Sequence, residues 1–519
     1  MKNKPLILLS LLVAAFAINL ETTMVNVALP SLVRELHAST TQLQWVVDAY
    51  YLVFAALLLT AGNLSDRLGR KGMLMSGLAV FGAASIAGAF ATNSTQLVIA
   101  RAVMGLGAAM TFPATLSLLT NVFTERKERA SAIGLWGASA GVAIALGPIV
   151  GGWLLEHYSW SSIFMAMGPV ALVGIIMVAV SVPTSKDPAA GHIDWAGLVL
   201  SALATGTLVY TIIEAPTYGW GAARTIGGFA VSAVLLIVFV RRESRAERPM
   251  LDVRLFKNMR FSAASGSVTV AFFALFGFIF LMTQYFQFIR AYSPLSTGVH
   301  LLPVAISVGV GSVVGTKLAV RFGTKLIVTL GLMMTVAFYL WVATTISTTI
   351  PYSIIACQMV VYGIGMGFTS APATESIMGA VSLRQAGVGS AVNDTTRLLG
   401  GTLGVAVIGS VYASLYSSRI ASSVPAAVPA HVVATLQRSI GAAKAVAAGL
   451  ARSGHATLAH AVNSAANDAF IHGLAVGCLV GAAVAGGGAA MAAWFLPAQP
   501  PTSEVHLIDG ETLPLGAQA

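Results

Sequence analysis

Glu21 stands in the middle of the first long apolar stretch of the chain, within the run LETTMVNVALP. A charged side chain at the centre of a bilayer costs about 2.5–3.5 kcal/mol even on lenient insertion scales, so an acid kept there is predicted to serve a function. In a partly dry cavity the charged form of a carboxylate is disfavoured, so the group binds a proton near neutral pH. Once the proton leaves, the anion attracts a cation, and proton and substrate compete for one site.

Asp48 is a second acid, near the start of the second apolar stretch. It either binds a proton inside the membrane or lies in water at the interface, and the sequence leaves both readings open. Exchange of one proton for one monovalent cation moves no net charge, so only the pH difference drives it, at about 1.4 kcal/mol per unit. A second proton adds the membrane potential, at about 2.3 kcal/mol per 100 mV. Glu21 and Asp48 together would therefore make a stronger pump than either acid alone.

Arg101 lies near the outer end of the fourth apolar stretch. Its long side chain either snorkels to the membrane interface or faces the interior, where it would favour the ionised form of a nearby acid. Arg397 follows Asp394 by three positions (i, i+3), so the two can pair on one helix face. That pair either takes part in coupling proton movement to transport, or it only neutralises two charges so that the helix can insert into the membrane.

Aromatic side chains crowd the ninth apolar stretch. Such a surface either faces lipid or lines a pocket for flat, apolar cations. The residues concerned are Phe272, Phe273, Phe276, Phe280, Tyr285 and Phe286.

The composition fixes which elements must position these residues. Of the 519 residues, 56% are hydrophobic and only 9% are charged, whereas soluble domains average about 25% charged residues. The apolar stretches, at about 17–25 residues each, are long enough to span a bilayer as helices, and helices satisfy every backbone amide internally. Fourteen such stretches predict an all-α membrane protein with fourteen spans.

Several function classes are excluded by the same pattern. The sequence has no nucleotide loop, metal cluster or nucleophile triad, so we expect no enzyme, no bound metal and no cofactor beyond a proton gradient. Its two cysteines both lie in apolar runs, which excludes a disulfide framework. We expect the partners to be a small-molecule substrate, protons and membrane lipids, without nucleic acid, and the protein to be a monomer.

The basic residues predict the orientation. Most of the 29 lysines and arginines fall in short loops that share one side if the N-terminus is inside, so the net charge of +10 reflects membrane orientation rather than nucleic-acid binding. We therefore expect both termini in the cytoplasm of a bacterium. The run MKNKPLILLSLLVAAFA imitates a secretory signal, but cleavage would remove half a span, so we expect a retained first helix.

A weak internal repeat predicts two bundles. LSDRLGRK (64–71) aligns with LAVRFGTK (318–325), and parallel repeats of this kind are typical of transporters with a site at the bilayer midplane. The predicted units are a six-helix bundle (1–182), two inserted transmembrane helices with a basic cytoplasmic loop (183–260), a second six-helix bundle (261–496) with an extracytoplasmic loop (417–468), and a cytoplasmic tail (497–519).

The run GNLSDRLGRKG, from Gly62 to Gly72, has glycines where a hairpin turns and an acid among its basic residues. It resembles the signature loop of the major facilitator superfamily. That resemblance implies a fold of two six-helix bundles, here with two extra spans. It also implies that Asp66, Arg67, Gly69 and Arg70 latch the bundles together on the cytoplasmic side in the outward-facing state. The second copy has Val320 in place of the acid, which argues against a latch there.

The fifth span reads GASAGVAIALGPIVGG, in which Pro148 removes a helix hydrogen bond. Gly141, Gly147, Pro148, Gly151 and Gly152 together are similar to the antiporter motif of the superfamily's exporters. Tight helix packing alone would also explain the glycines.

The runs around Glu21, Asp48 and Asp394 resemble those of the fourteen-span drug:proton antiporters, and LVIARAVMGLGAA resembles the motif in which Arg101 would face the interior and assist proton movement. The resemblance implies a proton-coupled exporter of amphipathic toxic compounds. The alternatives are an exporter of one endogenous metabolite, siderophore or lipid, and a membrane sensor that does not transport.

Overall fold

The computed structural model describes residues 4–186, 194–246, 249–381, 386–425 and 428–498. Within these ranges the regular structure is entirely helical, without a strand. The α-helices are α1 (Lys4–Leu36), α2 (Thr40–Leu68), α3 (Arg70–Ala89), α4 (Ser94–Val122), α5 (Arg126–His157), α6 (Ser161–Ser181), α7 (Trp195–Tyr218), α8 (Ala223–Glu243), α9 (Met259–Gln284), α10 (Pro294–His300), α11 (Leu302–Phe322), α12 (Thr324–Thr345), α13 (Tyr352–Gly379), α14 (Ala386–Ser423), α15 (Ala430–Leu436), α16 (Ile440–Arg452) and α17 (Ala456–Phe495).

Fourteen of these segments are long and apolar enough to cross a membrane. The short α10 counts together with α11 as one span, and a π-helical turn, Tyr285–Ile289, extends α9. The short helices α15 and α16 stand outside the fourteen. The prediction of an all-α, fourteen-span membrane protein is confirmed.

The spans pack in two groups. Helices α1 to α6 pack mainly on one another and form the first bundle, while α9 to α14 and α17 form the second. Helices α7 and α8 form a hairpin, and α7 contacts both α2 of the first bundle and α14 of the second.

The two bundles share one turn geometry. Gly69 joins α2 to α3 with φ +122°, and Gly323 joins α11 to α12 with φ +90°. A positive φ of this size strains residues that carry a Cβ, so both turns need glycine. These are the glycines of the two aligned runs, so the weak sequence repeat marks equivalent turns in the two bundles.

The bundles are in contact at one end of the molecule and apart at the other. We call the end where α1 begins the N-terminal face and the end where α1 finishes the opposite face. Near the opposite face, a Cβ at Gly152 of α5 would lie 2.6 Å from the Cα of Leu295. Toward the N-terminal face, Ile133 and Leu135 of α5 are both exposed although they point about 200° apart around the helix, and a Cβ at Gly141 would meet no described heavy atom within 4 Å. The molecule is therefore open at the N-terminal face.

Candidate functional site

Glu21 and Arg101 form a buried ion pair inside the first bundle. Arg101 Nη1 of α4 donates to Glu21 Oε1 of α1, and both side chains are fully buried. Arg101 Nε also donates to the carbonyl oxygen of Val46, at 2.8 Å, and the guanidinium lies 4.3 Å from the ring centroid of Tyr50. Arg101 thus faces the protein interior rather than the membrane interface. The second oxygen, Glu21 Oε2, is buried and has no hydrogen-bond partner among the described residues.

The surroundings of Glu21 are protein on every side. Every residue of α1 from Leu20 to Val33 is buried. The polar residues beside Glu21 mostly bond to their own helix: Thr23 Oγ1 donates to the Leu20 carbonyl and Asn26 Nδ2 to the Thr22 carbonyl. The carboxylate of Glu21 and the guanidinium of Arg101 are thus the charged groups in this buried part of the first bundle.

The glycines of α5 bring α1 close. A Cβ at Gly147 would overlap Thr23 Oγ1 and lie 2.8 Å from the Leu20 carbonyl oxygen, and one at Gly151 would contact Met24 at 3.3 Å. Gly147 and Gly151 therefore set the position of the helix that carries Glu21. Gly152 and Pro148 instead contact the second bundle, at Leu295 and Gly298.

Asp48 is fully buried, and neither of its oxygens has a hydrogen-bond partner in the described part of the chain. It lies one turn from Gln44 on α2, and α2 packs against α14 of the second bundle. Asp48 is thus enclosed near the closed junction of the two bundles, not in interfacial water.

Two glutamines, which the sequence analysis did not single out, join the bundles near the opposite face. Gln44 Nε2 of the first bundle donates to the carbonyls of Val405 and Ala406, at 3.1 and 3.0 Å, and to Ser410 Oγ. Gln287 Nε2 of the second bundle donates to the Val27 carbonyl of α1, at 2.9 Å. An uncharged polar residue inside an apolar stretch was the only signal for either.

The expected Asp394–Arg397 ion pair does not form. No nitrogen–oxygen contact within 4.0 Å joins these two described residues. Arg397 Nη2 instead donates to Thr374 Oγ1 of α13, at 3.2 Å, and the guanidinium lies 5.3 Å from the ring centroid of Phe272. Contacts with neighbouring helices, which helical spacing does not report, draw the arginine away.

Two of the predicted latch residues, Asp66 and Arg70, pair with each other in this conformation. Arg70 Nε donates to Asp66 Oδ1 at 2.6 Å, and the Arg70 amide donates to the Ser185 carbonyl at 2.9 Å. Arg67 is exposed, and Gly62 faces Pro113 of α4. The open N-terminal face is consistent with a latch that is not engaged.

The aromatic side chains of the ninth span face the protein interior. Phe273, Phe276, Phe280, Tyr285 and Phe286 are all buried. The Phe276 ring lies edge-on to Tyr51 of the first bundle, with 5.0 Å between ring centroids. Phe276 therefore lies between the bundles, and the five buried rings lie away from the lipid boundary, while Phe272 is half-buried.

Two helical bundles that touch at one end and separate at the other, with a buried ion pair inside the first, are the architecture of a multi-pass membrane transporter. The profile of the Major Facilitator Superfamily matches residues 11–405, and the chain belongs to that superfamily.

Several curated proteins are similar to this chain over about three quarters of its length. The multidrug efflux pump LfrA of Mycolicibacterium smegmatis is 36% identical over 76% of this chain and 78% of that protein. The tetracenomycin C resistance and export protein of Streptomyces glaucescens is 32% identical over 78% and 74%. The methyl viologen resistance protein SmvA of Salmonella typhimurium is 34% identical over 75% and 79%.

Solved structures share the fold. A bacterial homologue of the human lysosomal transporter Spinster, in an inward-facing and occupied conformation, superposes with a TM-score of 0.67 at 14% identity, covering 95% of this chain and 98% of that one. The xylose transporter XylE from E. coli, in an inward-open conformation, gives 0.52 at 13% identity, covering 78% and 89%.

Proposed function

We propose that this chain is a fourteen-span drug:proton antiporter, which exports amphipathic and often cationic compounds across a bacterial cytoplasmic membrane. Relatives named for multidrug efflux, tetracenomycin C export and methyl viologen resistance support this substrate class. The single observation that carries the proposal is the fully buried Glu21–Arg101 pair, in which one carboxylate oxygen remains without a partner among the described residues.

In the proposed orientation the N-terminal face lies in the cytoplasm, because the short loops on that side carry most of the basic residues. The structure then represents the state that is open to the cytoplasm. Glu21 releases its proton on that side, and the carboxylate then stays paired with the adjacent Arg101 guanidinium. A cationic substrate next competes with the proton for the carboxylate, and the substrate leaves when the opposite face opens.

Asp48 contributes the second proton in this scheme. Burying a charge without a partner is costly, so closing the α2–α14 junction over Asp48 is favourable when the acid carries a proton. Proton uptake outside thereby favours closure of the opposite face, and loss of that proton to the cytoplasmic side, which leaves a buried charge without a partner, favours its reopening. Two acids also allow the membrane potential to contribute, which a one-for-one exchange with a monovalent cation does not.

The test is efflux of a fluorescent cation such as ethidium from an efflux-deficient strain, with the unaltered chain, Glu21→Gln, and Asp468→Asn as a matched control. Asp468 is exposed on α17, so this variant makes the same acid-to-amide change away from the site. We expect efflux with the unaltered chain and the control, and none with Glu21→Gln or after addition of a protonophore. Efflux that survives collapse of both the pH difference and the voltage would refute proton coupling. If the unaltered chain exports no fluorescent cation, the result would favour an exporter of an endogenous metabolite.

A further inference from the structure

A helical segment closes over the opposite face of the molecule, outside the residues that the superfamily profile matches. We call residues 428–455 the cap segment; it contains α15 and α16 and connects α14 to α17. Both of its ends therefore continue into helices of the second bundle.

The cap segment is fastened to the second bundle by hydrogen bonds as well as by the chain. Tyr416 Oη donates to the Leu436 carbonyl and Gln437 Nε2 to the Ser417 carbonyl, each at 3.2 Å. Lys444 Nζ donates to Asn463 Oδ1 of α17 at 2.7 Å. Leu436, the last residue of α15, is itself fully buried. The segment must move with the second bundle.

The same segment also holds the first bundle. Thr40, the first residue of α2, donates its amide to the Arg438 carbonyl at 3.0 Å and its hydroxyl to the same oxygen at 3.2 Å. The amide is one of the donors that a helix N-terminus leaves without an intrahelical partner. The cap segment therefore supplies an acceptor that α2 lacks on its own.

Gly441 of α16 lies at the junction of the two bundles. A Cβ at this position would overlap Val33 of α1 and lie 2.7 Å from the ring of Phe288 in the second bundle. Gly449, two turns further along α16, has no described heavy atom within 4 Å of the same position. The close fit is thus confined to the part of α16 that touches both bundles.

We propose that the cap segment is a lid that holds the opposite face closed and must release α1 and α2 before that face opens. This proposal rests on the alternating access assumed in the proposed function. Because the lid belongs to the second bundle, opening breaks the two Thr40 bonds and the Val33–Gly441 contact. The lid therefore favours the conformation that is open at the N-terminal face.

The test measures opening of the opposite face in purified protein, without substrate or proton gradient. The native cysteines are replaced by serine, and V405C serves as the reporter, because Val405 is fully buried at the contact with Gln44. Thr40→Pro removes both bonds to Arg438. Proline is tolerated at the first position of a helix, and Ser39, with φ −75° and ψ 164°, already has the extended conformation that precedes proline. Thr40→Ser keeps both donors and is the matched control.

We expect Thr40→Pro to raise the maleimide labelling rate of the reporter by about fivefold or more, as the loss of two hydrogen bonds implies. Thr40→Ser should leave the rate unchanged. Gly441→Ala, which wedges the lid away, should act like Thr40→Pro, and Gly449→Ala should act like the unaltered chain. Unchanged labelling in both Thr40→Pro and Gly441→Ala, with unchanged helicity and melting temperature, would overturn the lid. Because this readout needs no transport, a failure of the lid and a failure of the proposed drug export are distinguishable.

Discussion

Gly141 and Gly152 lie on the same face of α5, yet only Gly152 touches the second bundle. Eleven residues at 100° each bring the two positions within about 20° of one another around the helix. A Cβ at Gly152 would lie 2.6 Å from Leu295, whereas one at Gly141 meets no described heavy atom within 4 Å. One continuous helix face therefore changes from bundle contact to open space, and the change marks where the two bundles diverge.

Alanine substitutions at two glycines of α5, Gly147 and Gly141, should have different effects, because only Gly147 is closely packed. Gly147→Ala should destabilise the protein by about 1–3 kcal/mol, because the added methyl overlaps Thr23 and its surroundings are tightly packed. Gly141→Ala should leave the melting temperature unchanged or raise it slightly, because alanine favours a helix interior over glycine and the added methyl meets no described atom. It should nevertheless slow transport if the N-terminal face closes by bringing this face of α5 against the second bundle. Thermal unfolding in detergent and efflux rates check both statements. A larger loss of stability in Gly141→Ala than in Gly147→Ala would contradict the conformation described.

The buried Glu21–Arg101 pair predicts strong coupling in a double-mutant cycle. Arg101→Gln alone should cost about 3–5 kcal/mol of unfolding free energy, because it leaves a buried carboxylate without its cation. The double variant Glu21→Gln/Arg101→Gln removes both charges and should cost less than the sum of the single changes. Denaturant titration in detergent measures the three values. Agreement with the simple sum within about 0.5 kcal/mol would mean that the two groups do not interact.

The glutamines that join the bundles predict a shift in the conformational equilibrium. Gln44→Leu removes the Nε2 amide, whose two hydrogens are shared among the Val405 and Ala406 carbonyls and Ser410 Oγ, and each hydrogen bond contributes about 0.5–1.5 kcal/mol. We expect the variant to open more readily at the opposite face, which distance measurements between spin labels on α2 and α14 would detect. Gln287→Leu should act in the same direction through α1. Unchanged distance distributions in both variants would exclude a gating role for these residues.

Asp194 predicts a pH-dependent contribution to stability at the start of α7. Burial alone would raise the pKa of Asp194, but hydrogen bonds from Arg242 Nη1, at 2.5 Å, and from the Gly197 amide, at 2.8 Å, outweigh it and lower the pKa. An acid with a lowered pKa stabilises the fold above its unfolded value, about 3.9, and this contribution is lost as the pH falls through the folded value.

Asp194→Asn isolates that charge, because asparagine caps a helix about as well as aspartate. The variant should melt at a lower temperature than the unaltered chain at pH 7. The difference should shrink as the pH falls below about 4. Melting curves across this range provide the measurement, and a difference independent of pH would contradict an ionised Asp194.

The membrane class, the number of spans and the position of the first acid could all be predicted from the sequence. Hydropathy and helix length are local properties, so fourteen apolar stretches identify fourteen helices without knowledge of their neighbours. The same holds for Gly69 and Gly323, where the glycines of the aligned runs predict tight turns. Placing an acid such as Glu21 in a membrane span costs free energy wherever the helix packs, so the residue can be recognised from the sequence alone.

Only the tertiary structure decided what those residues contact. Arg101 reaches Glu21 across 80 residues of chain, whereas Arg397, three residues from Asp394, turns to Thr374 on another helix. Gln44 and Gln287 carry no sequence signal of comparable strength, because burying an uncharged amide costs less free energy than burying a charge. Their role is apparent only once their hydrogen-bond partners are known. The sequence thus determined which helices exist and which of them carry charge. Packing between distant helices determined which charges pair and which face of the molecule is open, since that choice depends on contacts that no local pattern encodes.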